Sequence, residues 1–584
     1  MNLGSIYHRS AYSDCYPIDE NSLRINLRTG KDIQNVTIIH NDPYCNGITG
    51  RRPWEGIREE MEKRCELPYH SLWSSVLTPE YKREQYYFEL TSGEETIYML
   101  EDGFYSEEEL HISGKMKQYF KIPWLNPSDV IRVPDWVSET VWYEIVPDRF
   151  CRGDYSNKRM EVKPWDDKEP MTYEDFYGGD LKGIISKLGY LEKLGITGIY
   201  LTPIFESESN HKYDTTDYHK IDPDFGTEQE MKELIMEAHK RGIKVMVDGV
   251  FNHCGTDFGP WKDVVSKGKA SSYYDWFFIN KFPIETKDWK TRDGRYYSFA
   301  FEAHMPKLNT NNPEVMEYFI NRCKYWVNEW KIDGIRFDVG NEISHTFIKR
   351  LRREIKGIEP DLFLLGEIWH DSTQWLQGDE YDSVMNYPFI ESIHDFWNTE
   401  SMDVKELMLS LNRIFTMYPE QITNALFQFL DSHDVTRAYT RCGNLDTFLQ
   451  QFSLLCTMPG SICLYYGTEL GMEGAEDPYN RKCMPWREIE QGKHQEIFEQ
   501  IQRLIAIRKR FRQCRSEKME WILEDGYRRL LHYRKLGEGK RAVEVYMNAG
   551  KNNYKMLTDS NIVFAYRYKD GDLSPGGILI LQKG

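Results

Sequence analysis

Three acids with telling neighbours stand far apart in the chain. Asp338 lies in Gly334-Ile-Arg-Phe-Asp-Val-Gly-Asn-Glu342, Glu367 in Gly366-Glu-Ile-Trp-His370, and Asp434 in Asp431-Ser-His-Asp434. Arg336 and Asp338 are two apart, so on a strand they share a face. A guanidinium beside a carboxylate favours its ionised form. An ionised aspartate at a strand end suits a nucleophile, although an Arg–Asp pair taken alone is more often a structural ion pair. Glu367 is followed by apolar Ile368 and Trp369, and desolvation favours the neutral, proton-bearing form that a general acid needs. One ionised and one protonated carboxyl about 5 Å apart is the requirement of retaining glycoside hydrolysis. Asp434 is then a third acid, suited to gripping sugar hydroxyls.

Such residues must be brought together by a scaffold, and the chain supplies one. From about Trp136 onward, strand patterns alternate with helical ones. Eight candidate strands are Val141–Val146, Gly198–Thr202, Ile243–Asp248, the segment from Gly334, Leu362–Glu367, Asp382–Asn386, Leu426–Asp431 and Ser461–Tyr466. Leu181–Leu194 reads as a helix closed by Gly195. Thr227 and Glu230 have capping-box spacing, and Asn312-Pro313 opens a further helix. A last helix is expected over 494–511. Eight βα units predict a (β/α)8 barrel. A doubly wound sheet competes, but there is no Gly-rich phosphate loop. Barrel sites sit at the C-terminal strand ends. Reading only those ends gives Asp248, Asn252 and His253 on the third strand, Arg336 and Asp338 on the fourth, Glu367, Trp369 and His370 on the fifth, and Asp431, His433 and Asp434 on the seventh. Clustered acids on one rim are costly, so the clustering needs a reason.

The expected α/β architecture is a (β/α)8 TIM barrel with a small inserted domain after strand 3, flanked by an N-terminal and a C-terminal β-sandwich. Residues 1–125 form the N-terminal sandwich, 126–250 and 312–511 the barrel, 251–311 the insertion and 512–584 the C-terminal domain. In the first module Ser22–Arg28 alternates polar and apolar residues, with Gln34–His40 as a pairing candidate. Gln85–Leu90 and Glu95–Leu100 predict a hairpin around Thr91-Ser-Gly-Glu94.

Bulk properties bound the function. The chain has 584 residues and a formal charge of -18, which excludes a nucleic-acid footprint. Its 14% aromatic content suits stacking on sugars or large cores alike. Eleven scattered cysteines favour a reducing compartment over a disulfide scaffold. No basic n-region followed by an apolar run opens the sequence, and no stretch approaches a membrane span. A cytoplasmic enzyme without membrane or nucleic-acid partners is expected.

The quoted motifs, Val247-Asp-Gly-Val-Phe-Asn-His253 among them, resemble the signature regions of the α-amylase superfamily, glycoside hydrolase family 13. Met305-Pro-Lys-Leu-Asn309, Ser209-Asn-His-Lys-Tyr-Asp214, Phe176-Tyr-Gly-Gly-Asp-Leu181 and Trp375-Leu-Gln-Gly378 resemble its cyclomaltodextrinase, neopullulanase and maltogenic amylase branch. The resemblance implies Asp338 as nucleophile, Glu367 as acid/base and Asp434 as transition-state stabiliser. It implies that Arg336 orients Asp338, that His253 and His433 hydrogen-bond the sugar, and that Tyr213 stacks beneath it. Asp477 and Arg481 resemble further sugar-binding positions. Trp369 and the Tyr296-Tyr-Ser-Phe299 aromatics are candidates beyond the cleaved bond, and Asn341, Glu342 and His345 resemble residues that tune linkage preference. Asp248 and Asn252 resemble supports of the site.

The resemblance further implies hydrolysis of α-1,4 bonds in cyclodextrins, maltooligosaccharides and pullulan, with some transglycosylation, and a homodimer. A dedicated glucan transferase and an inactive glucan-binding relative are the alternatives. Two departures stand out. Relatives often bind calcium after the first strand. Here Asp154, Asn157, Gly178 and Asp180 fit such a loop, but Arg152 and Lys158 stand where oxygen ligands belong. No cofactor is expected, and calcium only against those two charges. Gly340 stands where relatives often carry Ala, a change expected to affect packing alone.

Overall fold

The computed structural model describes residues 1–48, 54–112, 117–153, 162–165, 171–284, 290–537, 539 and 541–583. They form two compact units, one comprising Met1–Arg132, Leu376–Gly378 and Lys405–Thr423, the other the remainder.

The first unit is a sandwich. One sheet runs in the order Cys15–Pro17, Leu23–Thr29, Ser71–Leu77, Glu62–Glu66. The other runs Ile57–Glu60, Asn35–Asn41, Glu84–Ser92, Glu95–Leu100, Gly103–Tyr105, with Phe120–Ile122 also pairing to Glu84–Ser92. The strands read as neighbours, Leu23–Thr29 and Asn35–Asn41, thus lie in different sheets. Crossing between sheets lets Ile25 and Leu27 face Val36 and Ile38 in one core with Trp73, Tyr86 and Phe88. Side by side, the two strands would have left both apolar faces on one uncovered side. The expected hairpin forms, with Ser92 opposite Glu95 and Gly93 in the left-handed region (φ 61°). Residues from much later in the chain complete this unit. Asn412 donates to the Glu66 carbonyl at 2.9 Å, and Arg24 pairs with Glu420 at 2.6 Å.

The second unit contains eight parallel strands, β1 (Val141–Ile145), β2 (Gly198–Leu201), β3 (Lys244–Gly249), β4 (Gly334–Phe337), β5 (Phe363–Gly366), β6 (Ser383–Val384), β7 (Phe427–Phe429) and β8 (Ser461–Tyr465). Their order is β6-β5-β4-β3-β2-β1-β8-β7, and a parallel bridge from Met385 to Phe427 nearly closes the ring. The interior is filled by Trp142, Tyr200, Met246, Phe363, Leu365, Phe427, Phe429 and Cys463. Such a plug of large side chains leaves only the strand ends for chemistry.

Helix boundaries follow local signals. α1 (Leu181–Leu194) is capped by Asp180, which accepts from the Gly183 N–H at 2.7 Å, and ends at Gly195 with φ 100°. Thr227 and Glu230 form the capping box of α2 (Glu228–His239). The long excursion after β3 holds α3 (Gly259–Lys267) and isolated bridges, His253 to Lys307 and Ser298 to Pro306 among them. It ends at α4 (Pro313–Tyr325), where Asn312 is the cap. After α5 (Gln495–Arg510), a six-stranded antiparallel sheet closes the chain, its last strand Asp572–Lys583 pairing with three others. No helix among the described residues is long and apolar enough to cross a membrane.

Candidate active site

A cavity of about 640 Å³ opens over the C-terminal ends of the barrel strands. Its lining comes from several of the strand ends. His253 follows β3. Asp338, Asn341 and Glu342 follow β4, and Glu367 and Trp369 follow β5. Asp434 follows β7, and Asp477 and Arg481 follow β8. Tyr213 closes one side. Arg336, expected to orient Asp338, and His433, expected to hydrogen-bond the sugar, do not line the cavity. They lie beneath it, 0% and 1% exposed.

Arg336 is the floor on which the acids stand. Its Nη1 donates to both Asp248 oxygens at 3.1 and 2.9 Å and to Asp338 Oδ1 at 2.9 Å. Its Nη2 lies 2.9 Å from Glu367 Oε2. One cation therefore serves three carboxylates. The sequence reading paired it with Asp338 alone and expected a simply ionised aspartate. In the structure, burial pushes the Asp338 carboxyl well above its usual range. Arg336 opposes this, while Glu367, Asp248 and Asp434 add to the rise. Burial and the neighbouring acids thus work against the ionised form of Asp338 that the shared guanidinium favours.

The two histidines are shifted in opposite directions. Burial would push His433 down, but Asp434 and Glu144 on either side hold it above its ordinary value. Its Nδ1 hydrogen-bonds Glu144 Oε1, and its Nε2 lies 3.2 Å from Asp434 Oδ1 and 2.6 Å from the Tyr213 hydroxyl. The Tyr213 ring lies nearly parallel to the His433 ring, centroids 5.4 Å apart, and its hydroxyl donates to Asp248 at 3.1 Å. His253, by contrast, is pushed down to about 3 by burial and by the Lys307 ammonium. Its Nε2 has no hydrogen-bond partner among the described residues and lies 3.9 Å from Asp338 Oδ2.

Glu367 is fixed from two sides, by the Val339 N–H on Oε2 at 2.8 Å and the Trp369 indole N–H on Oε1 at 3.0 Å. Trp369 is 49% exposed and stacks on Tyr387, centroids 3.8 Å apart. Val339 is left-handed (φ 46°), a strained state for a β-branched residue. It turns the chain so that the next residue, Gly340, packs on Glu367. A Cβ there would meet the Tyr381 hydroxyl at 3.0 Å and the Glu367 N and O at 3.2 and 3.3 Å. Gly340 thus packs directly against the backbone of Glu367 and the Tyr381 hydroxyl.

Other predicted residues fall as follows. Arg481 Nε is 3.0 Å from Asp477 Oδ1, and its Nη2 is 3.8 Å from Asp434. Phe299 lines the cavity and stacks on His253 at 5.0 Å, whereas Tyr296 packs into the insertion against Trp261. His345 bonds Glu380 at 2.8 Å and stays off the cavity. Glu144, Tyr173 and Lys307 were missed as site residues. Glu144 had a signal, as the lone charge in the fully buried strand β1. Tyr173 had none.

The described part of the expected calcium loop is held by its own hydrogen bonds. Asp180 Oδ1 accepts from Gly183 and Gly153 N–H groups, and Gly178 donates to Asp148. Arg152 donates to the Tyr177 and Lys163 carbonyls, each at 3.0 Å, taking up oxygens of the kind calcium prefers. Asp154, Asn157 and Lys158 lie outside the described residues.

Comparison with known proteins agrees with this geometry. Residues 144–554 match the α-amylase catalytic domain, and residues 1–126 match the α-amylase N-terminal Ig-like domain. The chain is 38% identical over 567 residues to an intracellular maltogenic amylase of Bacillus subtilis (strain 168), covering 96% of this chain and 94% of that one. It is 40% identical over 515 residues to neopullulanase 2 of Thermoactinomyces vulgaris, covering 87% and 85%. A solved cyclomaltodextrinase structure superposes with a TM-score of 0.89 at 34% identity, covering 100% of this chain and 98% of that one. With an eight-stranded barrel, three acids at its strand ends and these relatives, the chain belongs to the α-amylase family of glycoside hydrolases, in the branch of cyclomaltodextrinases, neopullulanases and maltogenic amylases.

Proposed function

We propose that this enzyme hydrolyses α-1,4-glucosidic bonds of cyclodextrins, maltooligosaccharides and pullulan by double displacement. Asp338 attacks the anomeric carbon and forms an ester as the bond to the leaving oxygen breaks. Glu367 gives its proton to that oxygen. Glu367 then takes a proton from water, whose oxygen displaces Asp338 and restores the free carboxylate. A sugar hydroxyl in place of water gives transglycosylation. Asp434 and His253 hold ring hydroxyls, His433 holds Asp434 and Tyr213 from beneath, and Tyr213 supports the ring.

Crowded acids are part of this reading. Their repulsion raises the free energy of the empty site, and a sugar ring developing positive charge between them relieves it. The observation that carries the proposal is the Arg336 guanidinium, with Asp338 and Glu367 each held at 2.9 Å beneath the cavity. The test is NMR of the first product released from maltotriose, β-cyclodextrin and pullulan. An α-anomer from at least one of them supports the mechanism. A β-anomer, or no release from any, rejects it.

Three further readings belong here. The eleven cysteines are scattered with no Cys-x-x-Cys pair, which together with the intracellular B. subtilis relative supports a cytoplasmic location. Resemblance to the branch supports a homodimer, which light scattering at micromolar concentration tests. The Arg152 contacts support a loop without calcium, and metal analysis of chelator-treated enzyme tests that.

A further inference from the structure

Lys307 reaches from the excursion after β3 into the rim of the site, its side chain 21% exposed. Its Nζ lies 3.0 Å from Glu342 Oε2 and 3.3 Å from the Glu342 carbonyl. The same ammonium donates to Asn252 Oδ1. Its backbone is clamped as well: Lys307 bridges His253, the Leu308 N–H reaches the Asn252 carbonyl at 3.0 Å, and the Lys307 N–H reaches the Tyr297 carbonyl at 3.0 Å. The ammonium thus has three oxygen partners on two strand ends. One of them, Glu342, stands on the cavity wall with a side chain 43% exposed.

From this geometry we propose that Lys307 is a positioning residue of the active site, fixing the Glu342 carboxylate on the cavity wall and keeping a second positive charge off His253. The proposal rests on the hydrolase reading above. A carboxylate tethered through one oxygen presents the other in a set direction, so the acceptor for sugar hydroxyls is organised before substrate arrives. Charge exclusion follows from the same placement. The Asn252 amide that accepts from Lys307 sets its Nδ2 3.3 Å from His253 Nδ1, and Asp338 Oδ2 lies 3.9 Å from the other ring nitrogen, while Asp214, His211 and Lys307 itself are the further charged or titratable groups acting on the ring. Of these, Lys307 is the fixed cation, and it keeps the imidazole neutral between the acids.

The experiment is a double-mutant cycle of Lys307→Met and Glu342→Gln with maltotriose, joined to a pH titration of the His253 ring by NMR in the unliganded enzyme. Loss of a charge-assisted hydrogen bond lowers kcat/KM for Lys307→Met by about tenfold or more. The double variant should lose at least about fivefold less than the product of the single losses, as coupled residues do. The His253 ring should titrate at higher pH in Lys307→Met, and Lys307→Arg should restore both readouts. A merely structural lysine would leave the ring titration in place. Independent losses, within about twofold of their product, or an unmoved His253 titration overturn the proposal. Lys307→Gln carries the same comparisons if the methionine variant does not fold. The ring titration needs no turnover. Absent wild-type hydrolysis would therefore reject the functional reading while the titration still decides the role of Lys307.

Discussion

Val339 donates its backbone N–H to Glu367 Oε2 at 2.8 Å, and it does so from a left-handed conformation with φ 46°. Glu367, at the end of β5, is thereby oriented by the backbone that follows Asp338 at the end of β4. The next residue continues the contact, since the Gly340 N–H donates to the Glu367 carbonyl at 3.0 Å.

Gly340→Ala should therefore disturb chemistry more than stability. The added methyl presses on the Tyr381 hydroxyl and the Glu367 backbone. The expected result is a fall in kcat of roughly three- to tenfold, about 1 kcal/mol in the barrier, with the melting temperature lowered by only a few degrees. Tyr381 Oη donates to the Gly340 carbonyl at 2.9 Å. Gly340→Ala/Tyr381→Phe, which removes the closest atom, should recover part of the activity. Steady-state kinetics of the two variants decide it, and unchanged kcat in Gly340→Ala refutes the contact.

Asp338→Asn and Glu367→Gln should separate by leaving group. Both are expected to lose at least about a thousandfold on maltotriose, because each removes a covalent or proton-transfer step. On α-maltosyl fluoride, whose leaving group needs no proton, Glu367→Gln should retain far more activity than Asp338→Asn. Equal losses on both substrates would reverse or erase the assigned roles.

His253 and His433 should give opposite stability slopes with pH. His253 sits at about 3 in the fold because of burial and Lys307, below its unfolded value near 6.5. Its contribution is present above about 6.5 and is lost as pH falls toward its folded value. His433 is raised by Asp434 and Glu144 against its burial. Its contribution is present below about 6.5 and is lost as pH rises through its folded value. Measured by urea unfolding, wild type should lose stability relative to His253→Gln as pH falls from 6.5 toward 4, by up to about 1.4 kcal/mol per pH unit. Relative to His433→Gln it should lose stability as pH rises above 6.5. Slopes of the same sign would contradict the two opposite shifts.

Glu144→Gln should act through His433. The Glu144 carboxylate is 1% exposed and bonds the His433 Nδ1. Its neutralisation removes a charge-assisted bond of about 1.5–3 kcal/mol. The imidazole should then titrate at lower pH, and kcat/KM should fall about tenfold or more. An NMR titration of the His433 ring alongside kinetics checks both, and an unmoved titration rules out the linkage.

The barrel was legible because its signals are local. Each strand is a short apolar run ending in polar residues, and Thr227, Glu230, Asn312 and Gly195 mark helix ends by their own chemistry. The swap of Leu23–Thr29 and Asn35–Asn41 into separate sheets was not legible, because alternation gives a strand its buried face but not its neighbour. Glu144 was overlooked because its meaning depends on a histidine 289 residues away.

By itself, then, the sequence determined which residues stand at the strand ends and which branch of which family the chain resembles. Residue type and spacing along one strand or helix are enough for that. Only the tertiary structure decided how the charges of the site share their partners. Arg336 serves Asp248, Asp338 and Glu367 at once, His433 is flanked by two acids, and His253 faces an ammonium. Electrostatic energies in a buried site depend on distances and desolvation across several strands, and neither quantity is written along any one of them.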